Sequence, residues 1–286
     1  MNETIFVIGA SGNVGKEVVK QLLLKGQKVI AAKRPNQNLQ ENAFLRYVTF
    51  NFTDPTTWND CLEGVDRVFL MRPPHISKIK RDMYPFMKHL KQKGIKQVVF
   101  LSVQGAEKNT IVPHYKVESF LKELEIPYTF VRPSFFMQNL TTTHLAEIRD
   151  ENMVFVPTGD GKTNFIDVRD IGEIIALLFL DTKHVNKAYT LTGETSFSYK
   201  EIAEHLSKHL HRKIEFINPN PVRFLVYHLR QGRKLGMTMV MLVLYSVVKS
   251  GSGDITTDTS SALLGRKSLS LDEFIQDNKA LLNGTV

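Results

Sequence analysis

The first 133 residues alternate short apolar strands with helical stretches, and no other feature restricts the fold of this chain as strongly. The predicted strands are rich in β-branched and aromatic residues and lie at Thr4–Ile8, Lys28–Ala32, Arg46–Phe50, Arg67–Met71, Gln97–Ser102 and Tyr128–Val131. The predicted helices between them lie at Val14–Lys25, Thr56–Leu62, about Lys78–Lys93 and Tyr115–Leu124. This alternation predicts an α/β fold with a doubly wound parallel sheet, because such strands are buried under helices on both faces.

The pattern changes after Pro133, which indicates a second domain. The next predicted elements are a helix, a strand, an apolar helix that returns to the main sheet and a further strand, at Asn139–Arg149, Met153–Pro157, Asn164–Leu180 and Ala188–Thr192. We therefore expect one domain from residues 1–133 plus about 164–192. A smaller α/β lobe is expected from about 134–163 plus 193–286, and a chain of 286 residues is long enough for both.

Three glycines lie where the first strand passes into the first helix, within the segment GASGNVG. Gly9 permits a tight turn, Gly12 lets the backbone approach a diphosphate, and Gly15 permits close packing of helix on strand. Exposed N–H groups and the helix dipole favour an anion there. A strand–turn–helix context is the one that a Rossmann-type dinucleotide site requires. The alternative is a glycine-rich turn between strand and helix that binds no ligand. The predicted contacts are Gly9, Ser11, Gly12, Asn13, Val14 and Gly15.

The end of the second predicted strand indicates which dinucleotide is bound. Sites for NAD place an acidic residue there, about 20 residues after the glycines, to bind the ribose 2′-hydroxyl. In this chain the strand is followed by Lys33 and Arg34, and the first acidic residue after them is Glu41. Two cations suit a 2′-phosphate, so we expect NADP(H) to be preferred over NAD(H). The alternative is a pair of solvated basic residues in a loop.

The remaining cofactor contacts are expected beyond the carboxyl ends of the later strands, where open α/β sheets bind ligands. These ends supply Met71, Arg72 and Pro73 after the fourth strand, Ser102 after the fifth and Pro133 after the sixth.

Four apolar residues are candidates for the substrate side of the site. Phe135 and Phe136 follow the sixth strand closely, and Met237 and Met241 belong to the Met-rich run Met237–Val248. Aromatic rings suit a flat acceptor, and methionine side chains adapt to irregular surfaces. Packing in the core explains the two phenylalanines equally well and explains most of the methionines better.

Five segments of the chain, quoted below, resemble the NmrA-like, atypical branch of the short-chain dehydrogenase/reductases. That branch includes NAD(P)H-dependent quinone reductases, triphenylmethane-dye reductases and redox-sensing regulators. The resemblance covers nearly the whole chain and is carried by GASGNVG, GVDRVFLMRPP, VVFLSVQGA, IPYTFVRPSFFMQNL and NFIDVRDIGEIIA. It implies a Rossmann fold and a nicotinamide cofactor without specifying the reaction.

The catalytic pair of the wider superfamily is replaced in this chain. The resemblance implies Tyr-x-x-x-Lys on the helix after the fifth strand, with Glu four residues later, and alignment on Glu118 places His114 at the Lys position and Thr110 at the Tyr position. Ser102 matches the catalytic serine position approximately. We name His114 and Ser102 as candidate catalytic residues, since imidazole exchanges protons near neutral pH. The simpler role for His114 is to bind the cofactor ribose or to cap the helix, and it would then count as a cofactor contact.

Charge and composition bear on the remaining partners. With 37 Lys and Arg against 29 Asp and Glu, the net charge is +8, which suits an anionic ligand. The basic run from Arg230 to Lys234 has no interleaved aromatic residues, so nucleic acid is not an expected partner. A histidine group, His205, His209 and His211, matches no zinc motif, so no metal is expected.

The run Met237–Val248 is well short of the roughly 20 residues that cross a bilayer, so we interpret it as a buried or pocket-lining helix and expect no membrane partner. A single cysteine, Cys61, and the lack of a basic and apolar leader favour the cytoplasm. The sequence leaves monomer and homodimer open.

Three functions are compatible with these residues. The first is hydride transfer from NADPH to a flat, electron-poor small-molecule acceptor such as a quinone, which needs no strong protein acid and so fits the missing Tyr–Lys pair. The second is a non-catalytic NADP(H) sensor that acts on a regulatory protein partner. The third is a nucleotide-sugar epimerase, which the same loss disfavours because that chemistry needs a base at a sugar hydroxyl.

Overall fold

Twelve strands and thirteen α-helices form the described part of the chain, residues 3–33 and 40–285 of a computed structural model. The strands are β1 (Thr4–Val7), β2 (Lys28–Lys33), β3 (Leu45–Thr49), β4 (Arg67–Met71), β5 (Gln97–Leu101), β6 (Tyr128–Pro133), β7 (Phe135–Phe136), β8 (Met153–Phe155), β9 (Lys162–Ile166), β10 (Lys187–Leu191), β11 (Ser196–Ser198) and β12 (Glu215–Ile217). The helices are α1 (Asn13–Leu24), α2 (Trp58–Leu62), α3 (Ile79–Asp82), α4 (Tyr84–Gln92), α5 (Pro113–Glu123), α6 (Leu145–Asp150), α7 (Val168–Leu180), α8 (Tyr199–Leu210), α9 (Pro221–Arg230), α10 (Leu235–Lys249), α11 (Thr259–Leu264), α12 (Leu271–Asp277) and α13 (Lys279–Asn283).

Seven parallel strands form the sheet of the first unit, Met1–Pro133 with Val168–Leu191. Their order is β10-β6-β5-β4-β1-β2-β3. The strands β2 and β3 lie on one side of β1 and the later strands lie on the other side, so the strand order switches between β1 and β4. This is the doubly wound Rossmann-type arrangement that the strand–helix alternation predicts, and the prediction is confirmed. All five residues of β5 are buried, as expected for a strand covered on both faces.

The two faces of this sheet pack against different helices. One face buries Phe6, Val68 and Phe100 with residues of α2 to α5 in a single apolar cluster. The other face is covered by α1 and α7, whose backbones meet at Gly172, where a Cβ atom would approach Glu17 Cβ to 2.6 Å. Successive side chains of a strand point to opposite faces of the sheet, so neighbouring apolar residues pack in different cores.

The second unit, Ser134–Asp167 with Thr192–Val286, contains two small sheets and the remaining helices. A three-stranded sheet has the order β11-β9-β7, and β8 pairs in parallel with β12. The core of this unit is aromatic, with Tyr199, Phe224 and Phe274 fully buried beside Tyr245. Helix α8 begins with a capping box in which Ser198 and Glu201 bond each other's backbone N–H groups.

The predicted helix Asn164–Leu180 is wrong over its first residues, which belong to β9. Phe165 pairs with Phe135 of β7. The side chain of Asn164 bonds the backbone of Gly193, accepting from its N at 2.6 Å and donating to its O at 3.1 Å. These contacts with distant residues hold the segment extended, and the helix begins only at Val168.

Two other predicted helices are shorter than expected. The stretch Lys78–Lys93 is divided at Met83, because Pro85 lacks the N–H that a continuous helix would need and restricts the residue before it. The stretch Asn139–Arg149 is helical only from Leu145. The hydroxyls of Thr141 and Thr142 donate to Gln138 O instead, at 3.2 and 2.7 Å, a local bond that competes with helix formation.

The Met-rich run Met237–Val248 lies in α10, but the prediction that it is buried holds for one face only. Thr238, Met241, Tyr245 and Val248 are buried, and most residues between them are exposed. Among residues 3–33 and 40–285, no helix combines the length and apolarity that crossing a membrane requires.

Candidate functional site

The glycine loop is held by backbone contacts that only glycine permits. Gly9 has a φ of +73°, and its carbonyl oxygen accepts a hydrogen bond from Gly12 N at 2.9 Å. A Cβ atom at Gly9 would overlap Met71 Sδ, and one at Gly15 would overlap Gly9 O and approach Ala10 Cα to 3.0 Å. Positions 9 and 15 must therefore be glycine for β1, β4 and α1 to meet this closely.

At this loop, the first N–H groups of α1 have no hydrogen-bond partner among residues 3–33 and 40–285. The helix begins at Asn13, and its N-cap residue, Gly12, has no side chain that could cap the first turn. The first backbone N–H bonded within the helix is that of Lys16, which donates to Gly12 O at 3.0 Å. Ser11 and Asn13 are exposed there, Val14 is buried, and the first turn contains no acidic residue. Unbonded N–H groups at the positive end of a helix dipole bind anions, so the loop fits a diphosphate.

A cation lies at the carboxyl end of β2, beside β1 in the sheet, because Lys33 is the last residue of that strand. Arg34, the other predicted contact, lies outside the described residues. The carboxylate of Glu41 accepts a hydrogen bond from Tyr47 N at 2.7 Å, so this acid is engaged with the neighbouring strand β3.

The register of β4, β5 and β6 brings their carboxyl ends to one level. Met71 pairs with Leu101, and Leu101 pairs with Val131. Beyond them, Pro133 O accepts a hydrogen bond from Gln104 N at 3.0 Å, which fixes the segment after β5 against the end of β6. The predicted cofactor contacts at these strand ends therefore lie along one edge of the sheet.

Arg72 orders the segment after β4. Its Nη1 donates to the carbonyl oxygens of Pro73, Pro74 and Ile76 at 3.0, 3.1 and 2.8 Å. Its Nε is buried without a hydrogen-bond partner among the described residues, and burial lowers the pKa of the guanidinium. Arg72 also forms no ion pair with a described carboxylate, so a half-buried cation stands uncompensated at the ligand-binding edge of the sheet.

Ser102 belongs to a buried charged network. Its Oγ donates to Glu118 Oε1 at 2.6 Å, and Arg132 holds the same carboxylate with two bonds, Nε to Oε1 at 3.0 Å and Nη2 to Oε2 at 2.6 Å. Arg132 Nη1 lies 3.2 Å from Glu107 Oε2. Because the Ser102 proton points at Glu118, its oxygen is left to accept a hydrogen bond and has no proton to donate to a ligand.

His114 lies in the first turn of α5, one turn before Glu118 on the same face of the helix. Its ring centroid is 6.1 Å from that of Phe100. Burial, and to a smaller extent the charge of Arg72, lowers the pKa of His114 to about 4. The imidazole is therefore neutral at pH 7, which corrects the expectation that it titrates near neutral pH. A neutral imidazole still donates one hydrogen bond and accepts another.

The position aligned with the superfamily tyrosine is not on the helix. Helix α5 begins at Pro113, whose missing N–H is suited to a first helical position, and Thr110 lies in the turn before it. The predicted start at Tyr115 is two residues late for the same reason. Tyr115 is half-buried and Lys116 is exposed.

The four predicted substrate contacts belong to the second unit. Phe135 and Phe136 form β7 and are half-buried, and the Phe135 ring packs against Phe165 at 6.0 Å between centroids. Met241 is buried in the core of that unit, whereas Met237 is half exposed. Contact of these residues with a substrate stays a prediction.

Two members of the histidine group, which matches no zinc motif, lie beside a carboxylate from a distant part of the chain. His205 Nδ1 and His209 Nε2 converge on Asp272 Oδ1, at 2.5 and 2.9 Å, and could hold a metal ion with it. Burial raises the pKa of Asp272, but the two imidazoles outweigh this effect and the pKa is lowered overall. His211 is not part of this cluster; it follows the last residue of α8 and has a φ of +55°.

Sequence reasoning missed the partners that complete these sites. The sequence marks Glu118 only by its spacing from His114, and no motif marks Arg132, although an arginine inside an apolar strand indicates a buried ion pair. Asp272 lies 67 residues from His205 and has no local signal that links the two.

Comparison with known proteins gives the chain a family context. The sequence profile of the NmrA-like family matches residues 1–246. Prestalk A differentiation protein A of Dictyostelium discoideum is 32% identical over 226 residues, which are 77% of this chain and 74% of that protein. The NAD(P)H azoreductase of Xenophilus azovorans is 28% identical, over 96% of this chain and 98% of the relative.

Two solved structures share the fold at low sequence identity. The quinone oxidoreductase QOR2 of Escherichia coli, complexed with NADPH, has a TM-score of 0.84 at 18% identity and covers 96% of this chain and 99% of its own. The negative transcriptional regulator NmrA, in complex with NADP, has a TM-score of 0.76 at 16% identity and covers 99% and 97%.

Proposed function

Because the chain belongs to the NmrA-like family, we propose that it is an NADPH-dependent oxidoreductase that transfers hydride to a flat, electron-poor acceptor such as a quinone. The observation that carries this proposal is the cradle at the amino end of α1, where Gly9 and Gly15 leave room for close backbone contacts and the first N–H groups are unbonded. A relative named as an NAD(P)H azoreductase and a similar structure described as a quinone oxidoreductase with NADPH support it.

The cofactor would be held along the carboxyl edge of the sheet. The N–H groups of α1 would bind the diphosphate, with Ser11 and Asn13 beside them. Arg72 would place a positive charge near the phosphates or the nicotinamide end, and Ser102 and His114 would hydrogen-bond the adjoining ribose. Bound NADPH supplies the hydride, and Ser102 accepts a hydrogen bond without taking part in proton transfer.

We infer the acceptor class from three residues, Thr110, Ser102 and His114, none of which is suited to act as a general acid. Thr110 lies before α5, the Ser102 proton points at Glu118, and His114 is neutral at pH 7. A quinone takes hydride to give a stabilised phenolate, which water protonates afterwards. An unactivated ketone would instead need a proton in the same step.

We further propose that NADP(H) is preferred over NAD(H). Lys33 places a cation where an NAD site has a carboxylate, and Glu41 is engaged with Tyr47. Replacing Lys33 by alanine should weaken NADPH about tenfold, the loss of roughly one charge-assisted bond, and leave NADH nearly unchanged. Fluorescence titration of both nucleotides checks this, with Lys25→Ala as the matched control. Equal affinities in the parent protein would refute the preference.

Activity is tested by NADPH oxidation with panels of quinones, azo and triphenylmethane dyes and activated carbonyls. We expect turnover with quinones or dyes and none with simple ketones. Tight NADPH binding without turnover on any panel would overturn the reductase.

Tight NADPH binding without turnover would favour a second candidate function, an NADP(H) sensor that has no catalytic activity. The replaced Tyr–Lys pair and the structural likeness to the regulator NmrA with NADP support it. Its test is capture of a protein partner that differs between NADP⁺ and NADPH.

A further inference from the structure

An apolar surface on helices α9 and α10 stands out from the rest of the described chain. Of the fifteen large hydrophobic residues that are exposed among residues 3–33 and 40–285, ten lie on these two helices. They are 40–70% exposed and comprise Val222, Val226, Leu229, Leu235, Met237, Met239, Val240, Val243, Leu244 and Val247. Single exposed hydrophobic residues are ordinary, but a contiguous group of this size marks an interaction surface.

The two helices form a hairpin, Pro221–Lys249, which we call the α9–α10 hairpin. A short turn joins them, and Gly232 in that turn has a φ of +79°. On α10, Leu235, Met239, Val243 and Val247 recur at every fourth position, so their side chains share one face. The exposed apolar residues of the hairpin therefore form continuous stripes.

The exposed face of α10 cannot turn inward, because the opposite face is fixed in the core of the second unit. Thr238, Met241 and Val248 are buried there, and Tyr245 Oη lies 2.7 Å from His144 Nε2. At Gly161 the backbone approaches so closely that a Cβ atom would meet Lys249 Cα at 2.9 Å. The exposed apolar side chains are thus presented on a fixed support.

The charge of the hairpin is entirely positive. Residues 216–253 contain no Asp or Glu and five basic residues. Four of these, Arg223, Arg230, Lys234 and Lys249, are exposed, and in the described part of the chain none of the four pairs with a carboxylate. The nearby carboxylate of Glu151, from outside the hairpin, accepts hydrogen bonds from Tyr227 Oη and Gln231 Nε2 on α9, so the basic excess is that of the hairpin's own residues. An apolar face on a segment with only basic charges of its own is complementary to a surface that combines apolar and anionic groups.

We propose that the α9–α10 hairpin docks on the surface of an anionic lipid bilayer. Its apolar stripes would enter the boundary between headgroups and acyl chains, and its basic residues would meet the anionic headgroups. A second copy of the chain is a poorer occupant, because the hairpin's own charges are all basic and two hairpins face to face would bring them together. The run Met237–Val248 is too short to cross a bilayer, but a helix that lies on the bilayer surface does not need the length of a spanning helix.

Flotation of the full-length protein with lipid vesicles tests the proposal. We expect binding to vesicles with about one-third anionic phosphatidylglycerol, little binding to neutral phosphatidylcholine, and loss of binding when salt is raised from about 0.1 to 0.5 M. The triple variant Arg230→Gln, Lys234→Gln and Lys249→Gln should lose about fivefold in affinity for each charge removed, or roughly a hundredfold. Its control is the exposed set Lys80→Gln, Lys93→Gln and Lys267→Gln.

A contribution of apolar side chains to vesicle binding distinguishes docking of the hairpin from purely electrostatic adsorption. The variant Val240→Ser with Val243→Ser keeps every charge and should weaken vesicle binding at least tenfold. The control replaces Ile111, an exposed residue of the first unit, by serine. Circular dichroism and NADPH binding show whether each variant is folded.

A label reports which surface meets the lipid. The single native cysteine, Cys61, is fully buried, and burial raises the pKa of its thiol to about 12, so it does not react. An environment-sensitive dye on Val243→Cys should shift to the blue with anionic vesicles, and the same dye on Ile111→Cys should not.

Three results would overturn the proposal. They are the lack of binding to anionic vesicles, binding that the Val240→Ser/Val243→Ser variant leaves intact, and a dye shift at both labelled positions. A concentration-dependent dimer that the serine variant abolishes, without vesicle binding, would assign the surface to a second copy instead.

Discussion

Replacing Glu118 by leucine removes the acceptor on which the buried Ser102 hydroxyl and the largely buried Arg132 guanidinium depend. Arg132 bonds this carboxylate through Nε and Nη2, and Ser102 bonds it through Oγ at 2.6 Å. The side chains of Glu118 and Arg132 are 4% and 12% exposed, so water cannot replace the lost acceptor fully. Leucine has a similar size and accepts no hydrogen bond.

The expected cost is the cost of leaving a buried cation short of its partner. Removing one member of a buried ion pair destabilises by about 3–5 kcal/mol, and the loss of the Ser102 acceptor adds to this. Glu107 stays 3.2 Å from Arg132 Nη1 and retains part of the compensation. We therefore expect about 3 to 4 kcal/mol, which for a unit of this size lowers the melting temperature by roughly 10 °C.

Urea unfolding followed by circular dichroism measures this change. The double variant Glu118→Leu/Arg132→Met removes both charges and should recover at least half of the loss, because buried pairs are replaced by apolar residues at little cost. Destabilisation below about 1 kcal/mol for Glu118→Leu, or no recovery in the double variant, would refute the interpretation of this network as a buried, mutually dependent pair.

Two further predictions concern the glycine loop and the second unit. Gly15→Ala should weaken NADPH at least about tenfold, since its Cβ would overlap Gly9 O, whereas Gly236→Ala, where no atom lies within 4 Å, should bind normally in calorimetry. Burial lowers the pKa of His228 to about 4, so between pH 6.5 and 4 the unfolded chain binds a proton that the folded chain does not, and stability falls as the pH falls. From pH 7 to 5 this amounts to about 2 kcal/mol, and urea unfolding of His228→Leu should show a dependence weaker by that amount. An unchanged pH dependence in this variant would contradict the assignment.

The order of strands and helices could be predicted because its signals are local. An apolar run such as VVF in β5 predicts a buried strand, and the glycines of GASGNVG predict a tight turn, without knowledge of the rest of the chain. The errors arise where distant residues decide the backbone. Asn164 is extended because it bonds Gly193, and no pattern in NFIDVRDIGEIIA shows that bond.

In the candidate site, too, residues with a local motif could be predicted, and properties that depend on distant side chains could not. Gly9, Gly15 and Lys33 were found because a motif fixes their spacing and strand position. The environment of Ser102 and His114 could not be found, because it depends on side chains that packing brings together. Ser102 meets Glu118 across 16 residues of sequence, and His114 loses its expected pKa through burial and Arg72.

The start of α5 separates the two positions at which the superfamily carries its Tyr–Lys pair. Since the helix begins at Pro113, position 110 lies in the preceding turn, and a tyrosine there would not face position 114 across one helical turn. Position 114 lies in the first turn, where burial and, to a smaller extent, the charge of Arg72 oppose a cation. The positive end of the helix dipole opposes a cation there as well. A neutral histidine fits these electrostatics better than a lysine would. Thr110→Tyr with His114→Lys should therefore fail to produce a ketone reductase, because the pair would be neither aligned nor stably charged.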